Sequence, residues 1–90
     1  MKVNLYSVYD SKAGAYMSPF PSTTDGLAIR GFQQACVNPE TPFQKNPIDY
    51  TLFKIGQYDD STGTVENNNP APSILISAMD AIRNGQKSTN

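Results

Sequence analysis

Histidine and tryptophan are absent from this 90-residue chain, and cysteine occurs once. Without an imidazole the chain cannot build histidine-dependent catalytic triads or the common catalytic zinc sites. The single Cys36 excludes an internal disulfide and a zinc cluster of several thiolates, and a free thiol is typical of a reducing cytosol. No apolar run is long enough for a signal peptide or a membrane span. We therefore expect no membrane association.

Strong charge of either sign is also missing, since 7 basic residues stand against 8 acidic ones and the net charge is −1. This balance excludes a histone-like polycation that binds nucleic acid through bulk charge. A chain of this length is one small domain and buries only roughly 60–65% of the surface that the unfolded chain exposes. We therefore expect a thin core that gains from a partner or from self-association.

The first twenty residues predict a β-hairpin. Apolar and polar residues alternate over 2–10, which places Tyr6 and Tyr9 on opposite faces of one strand. Residues 10–14 are typical of a turn, and residues 15–20 return as a second strand with prolines at its edge.

One helix and a second hairpin follow. Polar residues 22–25 offer helix caps, and an apolar stripe then predicts a helix over 25–37. Residues 38–49 indicate a proline-rich loop anchored by Phe43. Strands are predicted over 49–58 and 64–66, joined by a turn over 59–63. The expected fold is an α+β domain in the order β-β-α-β-β, with one helix packed on a small antiparallel sheet.

The chain changes character after residue 66. Residues 67–72 are typical of a linker, and residues 74–84 predict a short helix that Gly85 ends before a frayed segment over 86–90. We therefore divide the chain into an α+β domain over 1–66 and a variable linker and tail over 67–90.

Groups that could carry catalysis are few. Asp59 and Asp60 form the only acidic pair, and they are already explained as turn residues. Cys36 lies on the apolar stripe of the helix, so we interpret it as a buried small hydrophobe. The six glycines are scattered and form no phosphate-binding loop. The sequence thus predicts a protein that is not an enzyme and has no cofactor or metal.

Tyrosines beside lysines suggest a different chemistry. On a sheet surface, tyrosine rings can stack on bases while lysines pair with phosphates, although single tyrosines more often half-bury their rings at a core edge. Arg30 faces away from the apolar stripe of the helix, and Lys54 alternates with apolar neighbours, which predicts that it points to the solvent side. The candidate nucleic-acid-binding residues are Lys2, Lys12, Arg30, Lys45, Lys54, Tyr6, Tyr9 and Tyr16.

Three blocks of sequence carry a family resemblance: Val8 to Phe20, Ala28 to Phe32 and Asp49 to Asp59. In this order and spacing they resemble the small nonstructural protein of gokushovirus-type microviruses, which are single-stranded DNA bacteriophages. The resemblance covers about residues 1–66. It implies a DNA-binding protein of phage genome replication in the host bacterial cytoplasm, thought to help the switch to single-stranded DNA synthesis.

Two main functions stay open at this point, besides a weaker third, a scaffold or capsid component. The first is a non-enzymatic protein that binds single- or double-stranded DNA. The second is a protein–protein adaptor that acts on a phage or host replication or packaging factor without touching DNA, and the net charge of −1 favours it.

Self-association is expected in either case, most simply as a symmetric dimer. The candidate contacts lie on the predicted tail helix, at Leu75, Met79 and Ile82. The alternative is that this tail folds back on its own domain.

Overall fold

The structure is a computed structural model that describes residues 1–87, so the last part of the predicted frayed segment, residues 88–90, lies outside the described residues. Six strands and three α-helices occur within residues 1–87. The strands are β1 (Lys2–Asp10), β2 (Ala15–Tyr16), β3 (Phe20–Ser22), β4 (Tyr50–Asp59), β5 (Thr64–Asn67) and β6 (Ser73–Ser77). The helices are α1 (Asp25–Val37), α2 (Pro42–Lys45) and α3 (Ala78–Lys87), and a 3-10 turn over Pro47–Asp49 leads into β4.

All six strands form one antiparallel sheet built around β1 and β4. These two strands pair along their whole length, from Lys2 opposite Asp59 to Asp10 opposite Tyr50. β2 and β3 pair with successive parts of β1, and β5 and β6 pair with successive parts of β4. The predicted α+β class with an antiparallel sheet and a packed helix is confirmed.

Helix α1 begins and ends at the predicted residues. Thr24 caps it, because its hydroxyl oxygen accepts a hydrogen bond from the backbone N–H of Leu27 at 3.1 Å. At the other end, Asn38 is already extended, as expected for a residue before proline. Ala28, Phe32 and Cys36 are the buried positions of the helix, and they belong to the predicted apolar stripe.

The core lies between the sheet and two helices. Tyr6 and Val8 of β1 and Leu52 of β4 contribute the buried side chains of the sheet. Helix α3 adds Ala78 and Ala81, both fully buried, and it packs against α1. Small side chains at these two positions let α3 approach the other elements closely.

Two predicted segments are interrupted in the structure. The predicted strand over 15–20 is divided into β2 and β3, since Met17, Ser18 and Pro19 span only two residues of β1. The predicted loop over 38–49 contains α2 and the 3-10 turn, each begun by a proline. Phe43 anchors it as predicted, with its ring centroid 5.3 Å from that of Phe32.

The segment after residue 66 differs most from its prediction. Residues 73–77 are strand β6 and not the start of a helix, because β4 has an unpaired edge beyond β5 and the β-branched Ile74 and Ile76 suit a sheet. The helix starts later, at Ala78, and it continues through Gly85 to Lys87. That residues 1–66 form a unit by themselves stays a prediction, while in the full chain β6 and α3 pack on them.

Removing β6 and α3 should abolish cooperative folding. A chain ending at Pro72 loses the strand paired with β4 and the buried Ala78 and Ala81, so Leu52 and Cys36 become exposed to water. We expect no sigmoidal urea transition by circular dichroism for this chain, whereas a chain ending at Lys87 should unfold like the parent. A two-state transition of the shorter chain with parental midpoint would show that residues 1–66 form an independent domain.

Candidate nucleic-acid interface

The face of the sheet turned away from α1 and α3 is called the outer face here. Side chains alternate along a strand, so Tyr6, Val8 and Leu52 point to the core while their neighbours Tyr9 and Phe53 point to the outer face. In the described part of the chain, no helix packs over this face. It is therefore the sheet surface open to a partner.

Three aromatic rings meet on the outer face, and we call Tyr9, Tyr16 and Phe53 the aromatic trio. Tyr9 and Tyr16 are directly opposite in the β1–β2 pair, with ring centroids 4.9 Å apart. The Phe53 ring lies 5.5 Å from Tyr16 and 6.3 Å from Tyr9, in edge-on arrangements. The Tyr16 side chain is exposed, so the trio offers a ring surface to solvent.

Lys12 is the predicted cation that the fold places beside the trio. It lies in the turn between β1 and β2, whose ends carry Tyr9 and Tyr16. Asp10 holds this turn, because its carboxylate accepts hydrogen bonds from the backbone N–H groups of Lys12 and Ala13 at 3.0 and 3.3 Å. Gly14 closes it at φ 66°, a left-handed conformation that favours glycine.

The other predicted cations lie elsewhere. The Lys2 ammonium lies 2.9 Å from a carboxylate oxygen of Glu66. It donates a hydrogen bond to this carboxylate, which raises the pKa of the ammonium. Arg30 is exposed on α1 and Lys45 ends α2, on helices at the opposite side of the sheet. The structure therefore does not gather the five cations on one surface.

The predicted orientation of Lys54 was wrong. It pairs with Tyr6, so it lies on the same side of the sheet as the core residues Tyr6 and Leu52 and not on the outer face. It lies beyond the helices, where it lines a polar cleft with Gln57, Glu66 and the asparagines after β5. Alternation alone would have grouped residue 54 with residue 52, which is fully buried.

Tyr6, which the sequence predicted as a residue that stacks on bases, is not available to DNA because its side chain is fully buried. Its hydroxyl donates a hydrogen bond to Asp25 at 2.6 Å and accepts one from the Asn4 amide at 3.0 Å. Burial, together with the hydrogen bond to Asp25, raises the pKa of Tyr6 to about 12. Tyr6 thus ties β1 to the start of α1.

The acidic pair has a structural partner. The amino terminus of Met1 donates a hydrogen bond to Asp60 at 2.8 Å, and the same ammonium lies 3.7 Å from Asp59. A hydrogen bond from the backbone N–H of Ser61 lowers the pKa of Asp59. The predicted turn over 59–63 is confirmed, with Gly63 at φ 72°.

In the part of the chain that the structure describes, no three acidic or cysteine side chains are grouped as metal ligands.

Cys36 is buried, as its position on the helix stripe predicted. Burial raises the pKa of its thiol to about 12, so the thiolate is scarce at neutral pH.

Several apolar residues of the outer face were not among the candidate site residues predicted from the sequence. Phe53 is one, and Ile74 lies opposite it on β6, whereas Tyr58 of β4 and Val65 of β5 form a separate exposed pair farther along β4. The alternation in β4 was a usable signal for Phe53, but no sequence pattern showed which strands would lie beside it.

Two further findings concern known proteins and membranes. A family model described as Phage ORF5 protein matches residues 3–81. Neither a curated protein nor a solved structure matches the chain. Among the described residues, every helix is too short or too polar to cross a membrane.

Replacing Tyr6 by phenylalanine should destabilise the fold and alter its response to alkali. Loss of the hydroxyl hydrogen bonds should lower the free energy of unfolding by about 1–3 kcal/mol at pH 7. In the parent, Tyr6 ionises near pH 10 when unfolded but near pH 12 when folded, so its contribution is full below pH 10 and is lost as the pH rises towards 12. Urea unfolding between pH 7 and pH 11 should therefore show a shallower alkaline loss in Tyr6→Phe.

The matched control for this experiment is Tyr58→Phe, on the exposed outer face. It should change the free energy of unfolding by less than about 0.5 kcal/mol. Equal effects of the two substitutions at pH 7 would show that the Tyr6 hydroxyl contributes nothing particular to the fold.

Proposed function

Because the chain belongs to the Phage ORF5 protein family, we propose that it is a non-enzymatic DNA-binding protein of phage genome replication. In finer detail, we propose a microvirus protein that acts in the host bacterial cytoplasm during the switch to single-stranded DNA synthesis. The observation that carries the proposal is the aromatic trio on an uncovered sheet face, with Lys12 in the turn that joins the strands of Tyr9 and Tyr16.

Aromatic rings on an open sheet face are suited to unpaired bases. Every base has a flat surface that can stack on tyrosine or phenylalanine, so such contacts tolerate any sequence. Each stacked base contributes roughly 1–3 kcal/mol by alanine substitution. Tyr16 is exposed, while Tyr9 and Phe53 are half-buried beside it, so the Tyr16 ring is the surface of the trio most open to a base.

Charge limits the affinity of one chain. Lys12 is the cation beside the trio, and Lys2 is already engaged by Glu66. Few phosphate contacts release few counterions, so the affinity should fall only gently as salt increases. The proposed protein is thus a weak binder that depends on stacking more than on charge.

A protein–protein adaptor is the second candidate, and a separate feature favours it. A cleft of about 360 Å³ lies between α1 and the β1–β3 edge, and its lining is almost entirely apolar. The rings of Phe20, Phe32 and Phe43 contribute to this lining. Such a cleft fits an apolar side chain of a replication or packaging factor and offers nothing to a phosphate.

Substitution in the aromatic trio tests DNA binding. Tyr16→Ser removes an exposed ring, and we expect the dissociation constant for labelled single-stranded DNA to rise by about five- to a hundredfold, measured by fluorescence anisotropy. Leu27→Ser, which changes an exposed apolar residue on α1, is the control and should bind like the parent. The adaptor function is supported instead if the parent binds neither single-stranded nor double-stranded DNA.

Lysine variants in the same titration separate the predicted cations. Lys12→Gln should weaken binding and lower the magnitude of the slope of log affinity against log salt by about one, because one phosphate contact is lost. Lys2→Gln should change the slope less, because Glu66 already holds this ammonium. Identical slopes for the parent and Lys12→Gln would place the phosphate contacts on another surface.

The non-enzymatic part of the proposal predicts no nuclease and no nucleotide hydrolysis by the purified protein. The acidic pair is occupied by the amino terminus and by turn hydrogen bonds. An activity that is present in the parent and lost in the Asp59→Asn, Asp60→Asn double variant would contradict it, and the double variant's urea midpoint would show whether it still folds.

A further inference from the structure

Strand β6 adds a fourth apolar side chain to the aromatic trio. Ile74 lies directly opposite Phe53, and opposed residues of an antiparallel pair share one face of the sheet. Ile74 therefore lies on the outer face, where it is 69% exposed. At this end of the sheet the strands follow in the order β2, β1, β4 and β6, so the four side chains extend across three strand spacings, about 14 Å. We call Tyr16, Tyr9, Phe53 and Ile74 the apolar strip.

An irregularity in β6 turns Ile74 outward. The pairing moves from Leu52 opposite Ile76 to Phe53 opposite Ile74, so Leu75 is an extra residue on β6. Leu75 and Ile76 both pack against the core as a result, and Ile74 is left on the other face. The strand thus exposes one large aliphatic side chain, and it does so at the position beside the trio.

The tail folds back on its own domain, which was the alternative to the predicted dimer contact. Leu75 and Ile82, two of the three predicted contacts, pack against the core, and the third, Met79, is exposed. Self-association itself stays a prediction. The segment predicted to be a separate tail therefore contributes to the surface of the sheet.

The charged side chains of the strands avoid the outer face. Strand alternation and the pairing register place all of them on the other side of the sheet, that of Tyr6 and Leu52; they are Lys2, Asp10, Lys54, Asp59 and Glu66. A DNA strand on the outer face therefore meets no carboxylate of the described strands, although the net charge of the chain is −1. This segregation of charge favours a polyanion over a cationic partner on this face.

We propose that single-stranded DNA crosses the outer face along the apolar strip, from Tyr16 on β2 to Ile74 on β6. This inference rests on the proposed DNA-binding function and gives it a path and a further contact residue. Tyr16 stacks on one base, and the Ile74 side chain packs against another base farther along the DNA strand. Lys12, in the turn next to β2, lies at the Tyr16 end of this path. In a duplex, neighbouring bases cover each other's flat faces, so only an unpaired strand can use the strip in this way.

Val65 provides a matched control for Ile74. Both are β-branched aliphatic residues on strands that pair with the same edge of β4, and Val65 is 59% exposed on the same face. Val65 lies opposite Tyr58, however, roughly 15 Å along β4 from Phe53. A substitution at Val65 therefore alters the outer face to a similar degree without altering the strip.

A substitution that adds a ring tests the path. Ile74→Tyr keeps a residue suited to a strand and extends the stacking surface, so the dissociation constant for a labelled oligothymidylate should fall at least about threefold in fluorescence anisotropy. Ile74→Ser should raise it about three- to tenfold, because apolar contact with a base is lost. Val65→Tyr and Val65→Ser should stay within about twofold of the parent. Tighter binding cannot result from a variant that fails to fold.

The same oligonucleotide annealed to its complement provides the second measurement. The parent should bind this duplex at least about tenfold more weakly than the single strand, because the base faces are covered. Thermal unfolding confirms that each variant folds, and Ile74→Thr, which keeps the β-branched shape, replaces Ile74→Ser if that variant does not.

Three results would overturn the path: Ile74 variants that bind like the parent, equal tightening by Ile74→Tyr and Val65→Tyr, or a duplex bound as tightly as the single strand. Weaker binding by Tyr16→Ser together with unchanged binding by both Ile74 variants would overturn the path alone and leave the proposed function standing. A parent that binds neither single-stranded nor double-stranded DNA would overturn both.

Discussion

The pairing of β1 with β4 is the interaction on which the rest of the structure depends. These two strands are the longest in the fold and meet along their whole length. Every other strand forms its hydrogen bonds with one of them, and both helices of the core pack on their inner side. Without this pair the other strands would lack their hydrogen-bonding partners, and the helices would lack the sheet on which they pack.

The register of this pair includes a shift, and the shift decides which side chains face solvent. Pairing moves from Leu5 opposite Gly56 to Tyr6 opposite Lys54, so Ile55 is the extra residue on β4. Close to this point the β5 backbone approaches Gly56, where a Cβ would collide with the carbonyl oxygen of Glu66. A glycine at 56 thus allows β5 to pair close against β4, beside the irregularity.

Burial and exposure of the tyrosines follow from the same pairing. Tyr6 and Tyr9 lie three residues apart on one strand, and they therefore point to opposite faces. One becomes a core residue with a pKa of about 12, whose hydroxyl holds Asp25 at the start of α1. The other joins Tyr16 and Phe53 on the open face. The core and the candidate interface are thus two sides of one strand pair.

The sequence by itself determined the local elements, because strand alternation, the cap at Thr24 and the turn glycines act between near neighbours in the chain. The bounds of α1, the turns closed by Gly14 and Gly63, and the opposite faces of Tyr6 and Tyr9 could all be predicted. Only the tertiary structure decided which elements lie beside one another. Ile74 to Ile76 can form a helix or a strand by local preference, and the open edge of β4 selects the strand. The pairing of Lys2 with Glu66 and the joining of Phe53 to Tyr16 likewise depend on contacts across many residues, which sequence spacing cannot specify.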